Sequence, residues 1–165
     1  MKRTSGASVS IAAMAMVLLS LTVAGAAQQG KPQPRAQHAE TQPEMPRISP
    51  ADLAAVLGGS GEKPLVLQVG VARLFRYAHI RGAEFAGPAS ELAGIEILRK
   101  RVQGLKRDTA IVIYCGCCPW EHCPNIHPAY DELRKLGFTN VKALYLPNNF
   151  KADWDDKGYP TAKGE

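Results

Sequence analysis

The sequence predicts an α/β fold, a mainly parallel central sheet flanked by helices, and three observations carry this. The short β-branched-rich runs LVLQVG (65–70), TAIVIYC (109–115) and VKALYL (141–146) lack polar–apolar alternation, as strands buried on both faces do. Between them lie segments whose apolar residues recur three and four apart, the period of an amphipathic helix. All four cysteines fall between Cys115 and Cys123, so the strongest strand ends on a thiol. Reactive groups in such sheets gather outside the carboxyl ends of the strands.

At 165 residues and 45% hydrophobic content the chain suits one globular domain. Residues 1–27 combine Lys2 and Arg3, an apolar stretch over 9–23 and the small residues Ala24-Gly25-Ala26. This pattern predicts a secretory signal peptide cleaved after Ala26 or Ala27, in preference to an uncleaved anchor, and so no stable membrane insertion of the mature protein. An exported, periplasmic product is expected. Residues 28–46 are polar and proline-rich, a composition that predicts a disordered linker, and residues 47–165 form the domain. Removal of Lys2 and Arg3 leaves a mildly basic protein without a dense Lys/Arg run, which argues against nucleic-acid binding.

Within the domain, Ser49-Pro50-Ala51-Asp52 predicts a helix with Ser49 as N-cap, ended by Gly58-Gly59. The first core strand follows Lys63-Pro64. Residues 71–83 read as a loop or short helix, and 83–85 as a brief strand. Over 90–105, Leu92, Ile95, Leu98, Val102 and Leu105 mark a helix with Ser90 as a plausible cap. The strand at 109–115 then delivers Cys115. A helix is expected over 128–136 with Gly137 as its stop, a strand over 141–146, and a last short helix over 150–157 before Gly158-Tyr159-Pro160.

Several of these segments, in order, resemble the rhodanese family of sulfurtransferases across 48–160: the helix ISPADLAAVL, the turn His79-Ile80-Arg81-Gly82-Ala83, the strand TAIVIYC, Leu136-Gly137-Phe138, and the tail Trp154, Gly158, Tyr159, Pro160. The resemblance implies a rhodanese-like fold in which Cys115 carries a persulfide, with a small sulfur donor, a thiol acceptor and no cofactor. A protein partner is a further expectation. Two departures stand out. The family commonly carries an Asp and an Arg where this chain has Gln68 and Gly70, and its active-site loop is shorter. Here the loop is Cys- and Pro-rich and holds no Arg or Lys, which counts against thiosulfate as donor.

A nucleophilic cysteine must be a thiolate, whereas a free thiol titrates near ~8.5. Without a loop cation, the available help is backbone N–H groups around Gly116 and Cys117, the positive end of the next helix, and the imidazoles of His122 and His127. Arg73, Arg76 and Arg81 are candidates to supply positive charge from a neighbouring loop. Cys117, Cys118 and Cys123 are candidates for resolving thiols in disulfide exchange. With Cys115 and His127 they also make a possible soft-metal set, CxCCxxxxCxxxH, for Cu(I) or Zn(II). Cys118 and Cys123 are equally placed for a structural bridge around Trp120, which either covers the thiol or simply packs. Sulfur transfer ranks first, redox exchange second and metal binding third.

Overall fold

The computed structural model describes residues 44–164. The expected signal peptide and most of the expected linker lie outside the described residues. The linker's end does not behave as tether: Met45 is buried in the core, and the Pro46 carbonyl accepts the Ala143 amide at 2.8 Å.

The central sheet has five strands in the order β1–β6–β5–β2–β4, all neighbours parallel. They are β1 (Arg47–Ile48), β2 (Leu65–Gln68), β4 (Glu84–Phe85), β5 (Ile111–Tyr114) and β6 (Val141–Leu144). All four residues of the central β5 are buried, which explains why that run shows no alternation. The sheet separates two apolar clusters. One holds Leu67, Ile113, Leu98, Leu133 and Phe138, and the other Val66, Val112, Tyr114, Leu53 and Trp154. A separate antiparallel pair joins β3 (His79–Ile80) to β7 (Thr161–Ala162). Neither β1 nor this pair was expected, because two-residue strands leave no periodic trace.

Helix α1 (Pro50–Gly58) begins as predicted, the Ser49 hydroxyl accepting the Asp52 amide at 3.1 Å. The short helix α2 (Ala72–Tyr77) follows β2. Helix α3 (Leu92–Val102) starts later than expected, and Ser90 is not its cap: the Ser90 amide instead donates to Asn125 Oδ1 at 2.9 Å. Leu92 lies on the exposed side, so the buried stripe is Gly94, Leu98 and Val102.

Helix α4 (Ile126–Lys135) begins two residues before the expected start, leaving Pro128 in its first turn, where a missing N–H costs nothing. The expected last helix is broken into α5 (Phe150–Asp153) and a 3-10 turn (Asp155–Lys157), closed by Gly158 at φ 74°.

Candidate active site

Cys115 follows the last residue of β5 and is only 3% exposed, while Cys117 is exposed and Cys118 and Cys123 are half-buried. The chain turns away from the sheet at Gly116, whose φ of 75° suits glycine. Space demands glycine there as well, since a Cβ would stand 2.6 Å from Phe150 Cβ. The turn is held by the Phe150 amide donating to the Gly116 carbonyl at 3.1 Å. The expected role of Gly116 as the pivot of the loop therefore has a direct geometric reason.

The loop folds the cysteines back on one another, and all four are free. Cys115 Sγ lies 3.0 Å from Cys117 Sγ, which in turn lies 3.3 Å from Cys118 Sγ. The Sγ atoms of Cys115, Cys117 and Cys123 all fall within 4.8 Å of one another. Cys118 points its thiol at the His122 carbonyl, 3.6 Å away, so it is directed along the loop and the bridge to Cys123 is not formed. Cys115, Cys117 and Cys123 are the residues that could hold a soft ion. Sulfurs bound at ~2.3 Å to a tetrahedral or trigonal ion stand roughly 3.8–4.0 Å apart. The Cys115–Cys117 spacing is shorter than that and is a thiol–thiol contact, so the set as it stands does not match a metal's ligand shell. His127 is exposed and is not in the group.

Asn125, which no pattern in the sequence marks, faces the cluster. It occupies the N-cap position of α4 but makes no capping bond. Its buried amide is used elsewhere: Oδ1 accepts from the Ser90 amide, and Nδ2 donates to Cys115 Sγ at 3.3 Å. The bond from Ser90 fixes which end of the amide faces sulfur. A nitrogen donor aimed at a thiol favours its thiolate.

The Cys123 sulfur does what the Asn125 side chain does not. Its thiol is held well below the ordinary range by hydrogen bonds from the Cys115 and Cys117 thiols and, against the opposing effect of burial, from the backbone amides of Asn125 and Ile126 at the start of α4. A thiolate here satisfies amides that open every helix. For Cys115 the balance runs the other way. The Cys117 thiol pulls its pKa down, but contact with the Cys123 sulfur and burial outweigh this and push it up to about 12, with the Cys117 backbone amide giving a smaller lowering. Cys118 is pushed up to about 12, by burial first and then by Cys117 and Cys123. Within the cluster, thiolate character is thus favoured at Cys123 over Cys115, the two sulfurs lying within 4.8 Å of each other.

A cavity of about 300 Å³ opens beside Cys115 and Cys117, walled by Leu74, Tyr77, Tyr114 and Phe150, with Gln68, Asn149, Lys151 and Asp155 among its polar side chains. The arginines proposed from sequence are not among its walls. Arg73 is exposed, Arg76 lines a different cavity with Arg101, and Arg81 is bound to the Thr161 carbonyl at 3.4 Å. Among the described residues Lys151 is the only cationic side chain lining the cavity, and it is paired with Asp156 and, at 3.6 Å, with Asp155. His122 is exposed, and its contact with the cluster is through its carbonyl. Trp120 packs its ring on Tyr145 at 5.3 Å and borders a narrow crevice with Cys115 and Cys123. His79 is structural: its Nδ1 bonds the Phe75 carbonyl and its ring stacks on Phe75.

A parallel sheet in this strand order, a cysteine at the carboxyl end of its central strand and a loop folded around that sulfur define a rhodanese-like fold. The solved structures agree. The rhodanese-like domain of the Anabaena sp. Alr3790 protein is 24% identical over 72% of this chain and 79% of its own, with a TM-score of 0.55. The BH2092 protein of Bacillus halodurans is 20% identical over 72% and 77% of the two chains, with a TM-score of 0.56. EanB, in its complex with hercynine, is 22% identical with a TM-score of 0.53; the match covers 73% of this chain but 28% of EanB. No family model and no curated protein matches the sequence.

Proposed function

We propose that the protein is an exported, periplasmic sulfurtransferase that takes sulfane sulfur onto Cys115 as a persulfide and passes it to a thiol. The observation that carries this reading is the position of Cys115 Sγ, at the end of the central strand, beside a cavity and under the Asn125 Nδ2 donor. The leader-like residues 1–27 support export.

In the first step Cys115 gives up its proton and, as a thiolate facing the Asn125 Nδ2 donor, attacks the outer sulfur of the donor. The donor's S–S bond breaks, and its remaining sulfur leaves as a thiolate that takes up a proton. A thiol acceptor then attacks the outer sulfur of the Cys115 persulfide and releases Cys115. The sequence is redox-neutral. The test is intact-protein mass spectrometry after donor treatment: one added sulfur is expected, mapped to Cys115 and absent in Cys115→Ser. An unchanged gain and unchanged turnover in that variant would overturn the proposal.

A further inference from the structure

Resting on the persulfide reading, we infer that the donor for Cys115 is an organic hydropersulfide with an uncharged, apolar substituent, and not an inorganic anion such as thiosulfate. Three features of the cavity lead there.

The first is charge. Lys151 is the cavity's one cationic side chain among the described residues, and it is already matched by two carboxylates, of which Asp155 itself lines the space. A doubly charged anion entering a site with no net positive charge loses its hydration without replacement, which is costly. The second is Gln68. It is 2% exposed and lines the cavity, its Nε2 is committed to the Cys115 carbonyl at 3.3 Å, and its Oε1 has no hydrogen-bond partner among the described residues. The side chain that stands here is a neutral amide, which brings no positive charge to an anion. The third is Gly70. A Cβ at this position would stand 2.9 Å from Cys115 Sγ and from Gln68 Nε2. No side chain fits between β2 and the sulfur, so a cation cannot be supplied from there. Apart from Asn149, whose Oδ1 is engaged by the Ala152 amide, the side chains that complete the wall are Leu74, Tyr77, Tyr114 and Phe150, which suit an apolar or aromatic substituent.

The loading step is R–S–SH + Cys115–SH → Cys115–S–SH + R–SH. One S–S bond forms, one breaks, and nothing is oxidised overall.

The experiment compares benzyl hydropersulfide with thiosulfate as sources of the added sulfur on Cys115 in the full chain, with N-acetylcysteine as a free-thiol reference for intrinsic reactivity. The protein's preference for the hydropersulfide should exceed that of the free thiol roughly tenfold or more. Asp155→Asn/Asp156→Asn, which frees Lys151, should lower the preference about 5-fold. A protein preference equal to that of the free thiol, or one that the double variant leaves unchanged, overturns the donor inference while leaving the persulfide reading standing. Loading by neither donor overturns both.

Discussion

Asn125→Asp isolates the hydrogen bond on which reactivity at Cys115 depends. The substitution keeps Oδ1, so the Ser90 amide retains its acceptor, and it removes the Nδ2 donor 3.3 Å from Cys115 Sγ. A hydrogen bond to a charged acceptor contributes ~1.5–3 kcal/mol. At ~1.4 kcal/mol per tenfold, losing it should slow sulfur loading by about 10- to 100-fold. An ionised Asp carboxylate facing the developing thiolate adds repulsion, so Asn125→Asp should be slower than Asn125→Ala, although the alanine variant loses both bonds and is the less stable of the two. That ordering separates chemistry from folding, because a purely structural role predicts the reverse. The assay is the rate at which one sulfur appears on Cys115, with thermal unfolding of both variants alongside. Wild-type loading in Asn125→Asp would refute the reasoning.

Other expectations follow from the same contacts. Cys123→Ser removes the contact that raises Cys115, so the rise of the loading rate with pH should move to lower pH, its midpoint below about 12; sulfur mapped onto Cys123 in the wild type would instead make Cys123 the nucleophile. Gly70→Ala places a methyl against the sulfur and should suppress loading more than it lowers the melting temperature, as paired kinetics and calorimetry would reveal. Gly116→Ala forces a left-handed residue into Phe150 and should cost at least ~1–3 kcal/mol in denaturant unfolding. Glu132 is held below the ordinary carboxylate range by its hydrogen bond from Arg99. A depressed carboxylate contributes stability above its unfolded pKa and loses it as pH falls through the folded value. Glu132→Gln should therefore weaken the protein at neutral pH and flatten its acid unfolding, as pH-dependent melting would measure.

The sequence showed the part of this molecule that is written locally. The Ser49 cap, the buried β5 run and the placement of Cys115 all depend on neighbours in the chain. What it hid is set by distant contacts. Asn125 sits where a capping residue belongs, and only the Ser90 amide, 35 positions away, turns its side chain toward sulfur. Lys151 and Asp155 reach the cavity because the Phe150 amide is tied to the Gly116 carbonyl. The arginines misled for the complementary reason. Arg73, Arg76 and Arg81 are near the loop in the family pattern, but charge in a sequence carries no direction, and Arg81 faces β7.

The two departures in β2 and the long cysteine loop are parts of one arrangement. With Gly70 bare and Gln68 a neutral amide bonded to the Cys115 carbonyl, neither position brings a cation to the sulfur, and stabilisation falls to the loop. The loop supplies it with neutral groups: the Asn125 amide, the Cys117 backbone N–H and thiol, and the helix amides around Cys123. Dipoles of this kind stabilise one negative charge over a short range but do not attract a second from solution, as a guanidinium would. A site built this way keeps its thiolate and gives up affinity for anionic donors. The chemistry at Cys115 and the selectivity of the cavity therefore have the same cause.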